Sequence, residues 1–255
     1  MKSILTPLSM SSAIGKQILS LIRSGDYAHA GEEEAIRRTL DGVSPSPDRA
    51  ILDMGCGLGG TANYIARLGL GSVTGIDIDP DTIAYAKERY PDCFFTCCPA
   101  GECSRFLQPG FSLVVTFNAL YTFSDQSAAL REAHKLTTSG AEIRLFEYTA
   151  RSARPEVISF CDDYGRGRWR PVILDQAEEM LVRTGWKLEE VADLSSAYET
   201  WYTELVDKIS SKQDEIISQH GREWFEYALR RYQELLEVIE RRVIGGAILK
   251  AVRAP

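Results

Sequence analysis

The chain has 255 residues, 44% hydrophobic and 25% charged, an ordinary globular composition that is long enough for one large domain with embellishments. Its net charge of -7 opposes broad attraction to a phosphate backbone, so no nucleic-acid partner is expected. Six cysteines, among them Cys93, Cys97, Cys98 and Cys103, lack paired Cys-x-x-Cys knuckles, and His29, His134 and His220 lie far from them in sequence; free thiols in a reducing compartment and no metal are expected.

In MKSILTPLSMSSAIGKQILSLIRSG, Pro7, the serines and Lys16 interrupt the apolar residues well short of a signal-peptide core. No stretch approaches a membrane span, which predicts a cytoplasmic protein, monomeric or homodimeric, with no membrane partner. Ile14, Ile18, Leu21 and Ile22 are spaced for a helix over 10–24, and residues 32–40 form a second helical pattern with acids in its first turn. DGVSPSPDRA (41–50) reads as a linker, so 1–48 is expected to be an N-terminal helical cap on a core of 49–255.

Strand and helix patterns then alternate: strand ILDMG, helix 60–68, strand 72–78, helix 80–89 and strand 93–98. FSLVVTF (111–117) is a strand, 124–137 a helix and EIRLFEYT (142–149) a strand. This alternation marks parallel βαβ units, and the mostly apolar strands suit a sheet covered on both faces. Beyond residue 149 come a loop with a short helix to about 172, a helix 173–184 and a strand 186–194. Two long helical patterns, 196–219 and 222–242, precede a last strand 246–252. The pattern predicts an α/β fold: a Rossmann-like, doubly wound, seven-stranded, mostly parallel sheet with a terminal antiparallel hairpin strand. Segments of about 150–172 and 196–242 are expected to form a helical lid over the crevice at the strands' carboxyl ends.

Gly55, Gly57 and Gly60 complete G-x-G-x-x-G between a strand and a helix, with Asp77 ending the next strand. By itself this pattern suits a dinucleotide such as NAD. Asp53 discriminates, because it ends its strand where a pyrophosphate would meet the helix N-terminus. A carboxylate there opposes a phosphate by on the order of 1 to 4 kcal/mol at ~4 Å. It favours a ligand that is cationic at that point. S-adenosylmethionine (SAM) has ribose and adenine but carries an ammonium and a sulfonium, so the order acid, glycines, acid reads as a SAM site.

LDMGCGLGGTANYIA followed by VTGIDIDPDTIAYAKER resembles motif I and the acidic motif of the class I SAM-dependent methyltransferases, and the likeness extends over about residues 30–255. The resemblance implies that the loop with Asp53, Gly55, Cys56 and Gly57 faces the methionine moiety, that Asp77 binds the ribose and that Ile78 packs on the adenine. It also implies S-adenosylhomocysteine (SAH) as product. Where the family often has an aspartate after the third strand, TCCPAGECS has Pro99, Ala100 and Gly101, leaving Glu102 as the stand-in.

GLGGTANYI, VADLSSAYETWYTELVDKISSKQDEII and the terminal strand resemble the narrower group of phosphoethanolamine and glycine, sarcosine and dimethylglycine N-methyltransferases. That likeness implies a small-molecule acceptor methylated at nitrogen. It makes Tyr27, four residues before Gly31, the catalytic tyrosine, and it puts Thr122 where its partner histidine stands in the family. His29 is the alternative base. Asn118 takes the place of an amine-facing aspartate and could hold cofactor or substrate, while Tyr148, Tyr164 and Arg168 correspond to phosphate contacts. Tyr121, Trp169 and Trp201 complete the expected acceptor site. Arg166, Arg168 and Arg170 could bind an anionic group or form a solvated loop. Trp169, Trp201, Tyr202, Trp224 and Tyr227 could cage an ammonium or fill the core. Transfer to oxygen or carbon, a SAM-binding protein without catalysis, and an NAD enzyme are the alternative readings.

Overall fold

The computed structural model describes residues 8–165 and 169–254. Strands β1 (Ala50–Met54), β2 (Ser72–Asp77), β3 (Phe94–Cys97), β4 (Phe111–Phe117), β5 (Thr137–Ala150), β6 (Val172–Ile173), β7 (Trp186–Asp193) and β8 (Gly245–Arg253) build one sheet. Its order is β3-β2-β1-β4-β5-β8-β7, with β6 beside β5. All pairs are parallel except those of β8, which runs antiparallel to both β5 and β7. The expected terminal hairpin is therefore present. The seven expected strands are joined by an eighth, β6, a two-residue pairing with Thr149 and Ala150 that is too short to carry a periodic signal.

The strands read as continuous apolar runs because helices cover both faces. Ile51, Val73, Phe95, Val115 and Phe146 point into one core with α1 (Ala13–Arg23), α2 (Glu32–Thr39), α3 (Gly60–Arg67) and α4 (Pro80–Arg89). Leu52, Ile76, Val114, Leu145 and Leu249 point into the other, under α5 (Gln126–Leu136) and α7 (Leu174–Arg183). Successive residues serve opposite faces, as the strand's period of two requires. Between these helices lies α6 (Pro155–Gly165).

Three further helices, α8 (Ser195–Ser211), α9 (Gln213–His220) and α10 (Arg222–Glu240), join the first core. The helical pattern expected over 196–219 is thus two helices, broken at Lys212, whose backbone leaves the helical region and whose amine pairs with Glu215 in the first turn of α9. Leu194, just ahead of α8, donates its N–H to the Gly246 carbonyl, so the helix is tied to the sheet. Gly246 also lacks a side chain where it must: a Cβ there would fall inside the Tyr198 ring of α8.

Overpacking of this kind costs about 1–3 kcal/mol. Gly246→Ala is therefore expected to lower the melting temperature, and to cost less in a Tyr198→Ala background. Thermal unfolding of the two singles and the double tests this coupling; additive losses would contradict it.

Candidate active site

The direction of winding reverses between β1 and β4, and ligands of open parallel sheets bind beyond the strand ends at such a point. Asp53, next to last in β1, lies there between Gly75 of β2 and Val115 of β4. It is 1% exposed, and its Oδ2 has no hydrogen-bond partner among the described residues. Burial, reinforced by the charge of Asp77, pushes its carboxyl up to about 7. A buried acid with an orphaned oxygen calls for a donor from a ligand.

After β1 the chain turns at Gly55, where φ is 85°, and at Gly57, where φ is 55°. Such angles strain any side chain. Gly55 and Cys56 donate their N–H groups to the Ile76 carbonyl at 2.8 and 2.9 Å, and Gly57 donates to Asp77 Oδ2 at 3.0 Å. A Cβ on Gly57 would meet only the Ala28 methyl, at 4.0 Å, so the bare backbone borders open space. Cys56 is buried, its thiol directed to the Gly57 carbonyl.

Asp77 also accepts the Asp79 N–H, and it forms an ion pair with Lys16 of α1 at 3.0 Å, each side chain 10% exposed. Lys16 escaped the sequence reading because it lies 61 positions away on what reads as an ordinary amphipathic helix. Beside Asp77, Ile78 is 72% exposed, an apolar surface on which a flat ring can lie. Gly101 sits in the 3-10 turn Ala100–Arg105. The exposed carboxylate of Glu102 is paired with Arg105 at 2.7 Å within that same turn.

Asn118, just beyond β4, has φ 47°. Its N–H is held by the Phe146 carbonyl, its Oδ1 accepts from the Tyr198 hydroxyl at 2.8 Å, and its buried Nδ2 has no partner among the described residues. Glu147 of β5, absent from the sequence reading, accepts the Ala119 and Leu120 N–H groups through Oε1 and so fixes the loop that carries Tyr121. Burial pushes its carboxyl up to about 7 against the pull of those N–H groups.

Beyond Asn118 a cluster of aromatic side chains packs between β5, α6 and α8. Tyr148 meets Tyr121 edge-on at 4.9 Å and Trp169 at 5.0 Å, and its hydroxyl bonds that of Tyr202. Tyr198 packs on Tyr148, Tyr202 and Phe146. Tyr164 stacks on Phe160, lies under the Arg231 guanidinium and donates its hydroxyl to the Arg231 carbonyl. The structure thus brings Tyr121, Tyr148, Tyr164, Trp169 and Tyr202 together and adds Tyr198 and Tyr232. Trp224 and Tyr227 instead pair with each other on α10.

Several of the expected residues are engaged with other partners in the ligand-free protein. His29 is buried with Nδ1 on the Ala30 carbonyl and Nε2 on the Thr61 hydroxyl, each at 3.0 Å. Both nitrogens are engaged, and burial lowers its pKa to about 3, so it has no free lone pair for a substrate proton. The Tyr27 hydroxyl is directed at Glu33, 3.4 Å away, and burial, with that carboxylate, pushes it up to about 12, the wrong direction for a phenolate base. Thr122 is exposed and donates to the Ala119 carbonyl of its own turn. Trp201 fills the space over Gly31 and donates to Glu34, so it joins the lid to the N-terminal segment. Arg170 is exposed; Arg166 and Arg168 lie outside the described residues.

Residues 51–140 match a family model described as a methyltransferase domain. A putative methyltransferase, 235L, of Invertebrate iridescent virus 6 is 31% identical over 127 residues, covering 49% of this chain and 46% of that protein. The match therefore spans less than half the length of that relative. In structure, the chain is similar to Haemonchus contortus phosphoethanolamine N-methyltransferase 2, solved with phosphomonomethylethanolamine and SAH (TM-score 0.84, 18% identity, 98% of this chain and 61% of the other). It is also similar to the cyclopropane synthase MmaA2 of Mycobacterium tuberculosis (TM-score 0.82, 15% identity, 98% of this chain and 100% of the other). At such identities the likeness is one of fold.

The raised pKa of Asp53 makes the ligand-free protein pH-sensitive. A carboxyl raised from 3.8 to about 7 contributes stability that is full below the unfolded value and lost as pH rises through about 7. The melting temperature should therefore fall from about pH 5 to about pH 8 more steeply in the wild type than in Asp53→Asn. Equal slopes would contradict the burial of a protonated acid.

Proposed function

We propose that this chain is a class I SAM-dependent methyltransferase, a reading supported by its methyltransferase-domain match and its fold, and that it transfers the methyl group of SAM to a small molecule, at an amine nitrogen. The observation that carries the reading is the orphaned carboxylate of Asp53 beside a glycine turn and a second acid. A cationic amino-acid moiety relieves both the missing hydrogen bond and the repulsion from Asp77, whereas a pyrophosphate would add to that repulsion. Asp53, Gly55, Cys56 and Gly57 would hold the methionine part, Asp77 the ribose hydroxyls and Ile78 one face of the adenine. When bound, SAM supplies an electrophilic methyl on a sulfonium.

The chain's own groups then select and orient the acceptor. Asn118 offers an unused amide N–H at the border between the glycine turn and the aromatic cluster. Aromatic faces of Tyr121, Tyr148, Tyr198 and Trp169 attract an ammonium and exclude water. His29 and Tyr27 are engaged by other partners, and Glu147 keeps one buried oxygen, Oε2, without a hydrogen-bond partner among the described residues. An amine is favoured over an alcohol or a carbon acid because its ammonium form gives up a proton more readily than either, to water or to a carboxylate such as Glu147, before the nitrogen lone pair attacks the methyl. Proximity and orientation then supply most of the rate. Residues up to 48 would act as a cap, with α8 closing against them through Trp201 and Gly31. Among the described residues, no helix is long and apolar enough to cross a membrane.

Two measurements test this reading. SAM and SAH should each raise the melting temperature, and Asp77→Ala should remove most of the shift; stabilisation by NADH and not by SAM would overturn it. Labelled-methyl SAM offered with a panel of small amines, amino acids and phenols should label amines. Label on phenols or carbon alone would reassign the acceptor atom, and tight SAM binding without transfer to any acceptor, a cell extract included, would mark a non-catalytic protein.

A further inference from the structure

Helix α1 ends on Arg23, whose side chain is 1% exposed. Among the described residues, its Nε and Nη1 have no hydrogen-bond partner. The carboxylate facing it, Glu32 Oε1, stands 3.9 Å from Nη1, beyond hydrogen-bond distance. Neighbouring carboxylates are committed elsewhere: Glu33 to Arg37, Glu34 to Arg38 and the Trp201 indole, and Glu204 to Lys208. The C-terminus of a helix attracts a cation, yet no carbonyl of α1 accepts an Arg23 N–H among the described residues. Buried charges are ordinarily paired and fully hydrogen-bonded, because desolvation without compensation is costly. Arg23 departs from that rule.

Arg23 and Lys208 line an open cleft of about 380 Å³ between the N-terminal segment and α8, together with Tyr27, Trp201 and the carboxylates of Glu32, Glu33, Glu34 and Glu204. Of these four acids, Glu33, Glu34 and Glu204 are paired with Arg37, Arg38 and Lys208, and Glu32 faces Arg23 from beyond hydrogen-bond distance. On its other side, the charge of Arg23 acts on the hydroxyls of Tyr198, Tyr202 and Tyr232, against the desolvation that raises all three. Tyr198 in turn bonds Asn118. A path of polar groups therefore runs from Asn118 through the tyrosines to a guanidinium with two nitrogens that lack a hydrogen-bond partner among the described residues.

We propose that Arg23 anchors an oxyanion, a carboxylate or a phosphate, carried by the methyl acceptor, and so sets the acceptor's orientation with its nucleophile toward Asn118. Guanidinium is the side chain best matched to either anion. This rests on the methyltransferase reading above, and it assigns the anion to α1 instead of to the exposed Arg170. The acceptor is then zwitterionic: its ammonium meets aromatic faces and its anion meets Arg23.

The test uses the full chain saturated with SAH. Inorganic phosphate and acetate are titrated as probes, methylamine serves as control, and wild type is compared with Arg23→Gln and Arg23→Lys. One anion should stabilise the wild-type complex saturably, and whichever saturates at lower concentration identifies the oxyanion. Arg23→Gln should weaken that response about tenfold or more, while Arg23→Lys keeps part of it. Arg23→Gln should also raise the melting temperature of the ligand-free protein, because it removes a buried charge that is incompletely hydrogen-bonded. A saturable response unchanged in Arg23→Gln, or none in the wild type, overturns the proposal. So does a ligand-free Arg23→Gln that melts lower yet keeps its anion response, the mark of a structural prop. If Arg23→Gln does not fold, the anion titration of Arg23→Lys decides, and an unchanged affinity overturns the proposal. SAH stabilising every variant while the anion response ignores Arg23 sinks this inference alone; SAH failing to bind the wild type sinks the methyltransferase reading.

Discussion

Two peptide N–H groups, those of Gly55 and Cys56, converge on the single carbonyl of Ile76 and bind the exit of β1 to the end of β2. The next N–H, from Gly57, closes onto the Asp77 carboxylate. That turn requires positive φ at both glycines, and it brings the acids ending two adjacent strands so close that the charge of one opposes ionisation of the other. A cation relieves the strain between them and an anion aggravates it. The choice of cofactor class, and the position of everything that must face the transferred group, follow from this arrangement.

The N-terminal segment is bound into the same electrostatics. Lys16 neutralises Asp77, and Asp26 gathers the hydroxyls of Ser20, Tyr85 and Tyr90. Helix α1 thus rests on α4 through polar contacts, while its apolar side joins the core under α8 and α9. At the far end of the segment, Gly31 admits the Trp201 ring. One stretch of chain therefore touches the cofactor acid, the aromatic cluster and the lid. The Lys16–Asp77 ion pair therefore ties α1 electrostatically to the end of β2.

Around the aromatic cluster, His29 links Ala30 to Thr61, Tyr27 faces Glu33, and one oxygen of Glu147 holds the 119–121 loop. Among the described residues, Asp53 Oδ2, Glu147 Oε2, the Asn118 amide nitrogen, the Thr116 hydroxyl and two nitrogens of Arg23 are buried without a hydrogen-bond partner. Such atoms are where a bound molecule can add hydrogen bonds.

Much of the fold was legible in the sequence because it is written in short-range patterns. Apolar runs between turn residues mark strands buried on both faces, helical spacing marks the intervening helices, and the order Asp53, Gly55, Gly57, Asp77 needs only one strand–turn–helix–strand unit to acquire meaning. The break at Lys212 and the two-residue β6 depend on what lies beside them, so periodicity passed over both. The acceptor side was legible only as a set of residue types. Tyr198 meets Asn118 across 80 positions, Lys16 meets Asp77 across 61 and Trp201 meets Glu34 across 167. Such pairings come from packing around a shared core. Composition could therefore identify a tyrosine as available, but only the tertiary structure decided that His29 is held between Ala30 and Thr61, that Glu102 pairs with Arg105, and that Arg23, an unremarked residue at the end of an amphipathic helix, is buried with its facing carboxylate, Glu32, beyond hydrogen-bond distance. The sequence by itself determined the cofactor half of the site, where chemistry and chain neighbours coincide. The acceptor half was decided by long-range contacts, because its side chains come from opposite ends of the chain and acquire their protonation and partners only on burial.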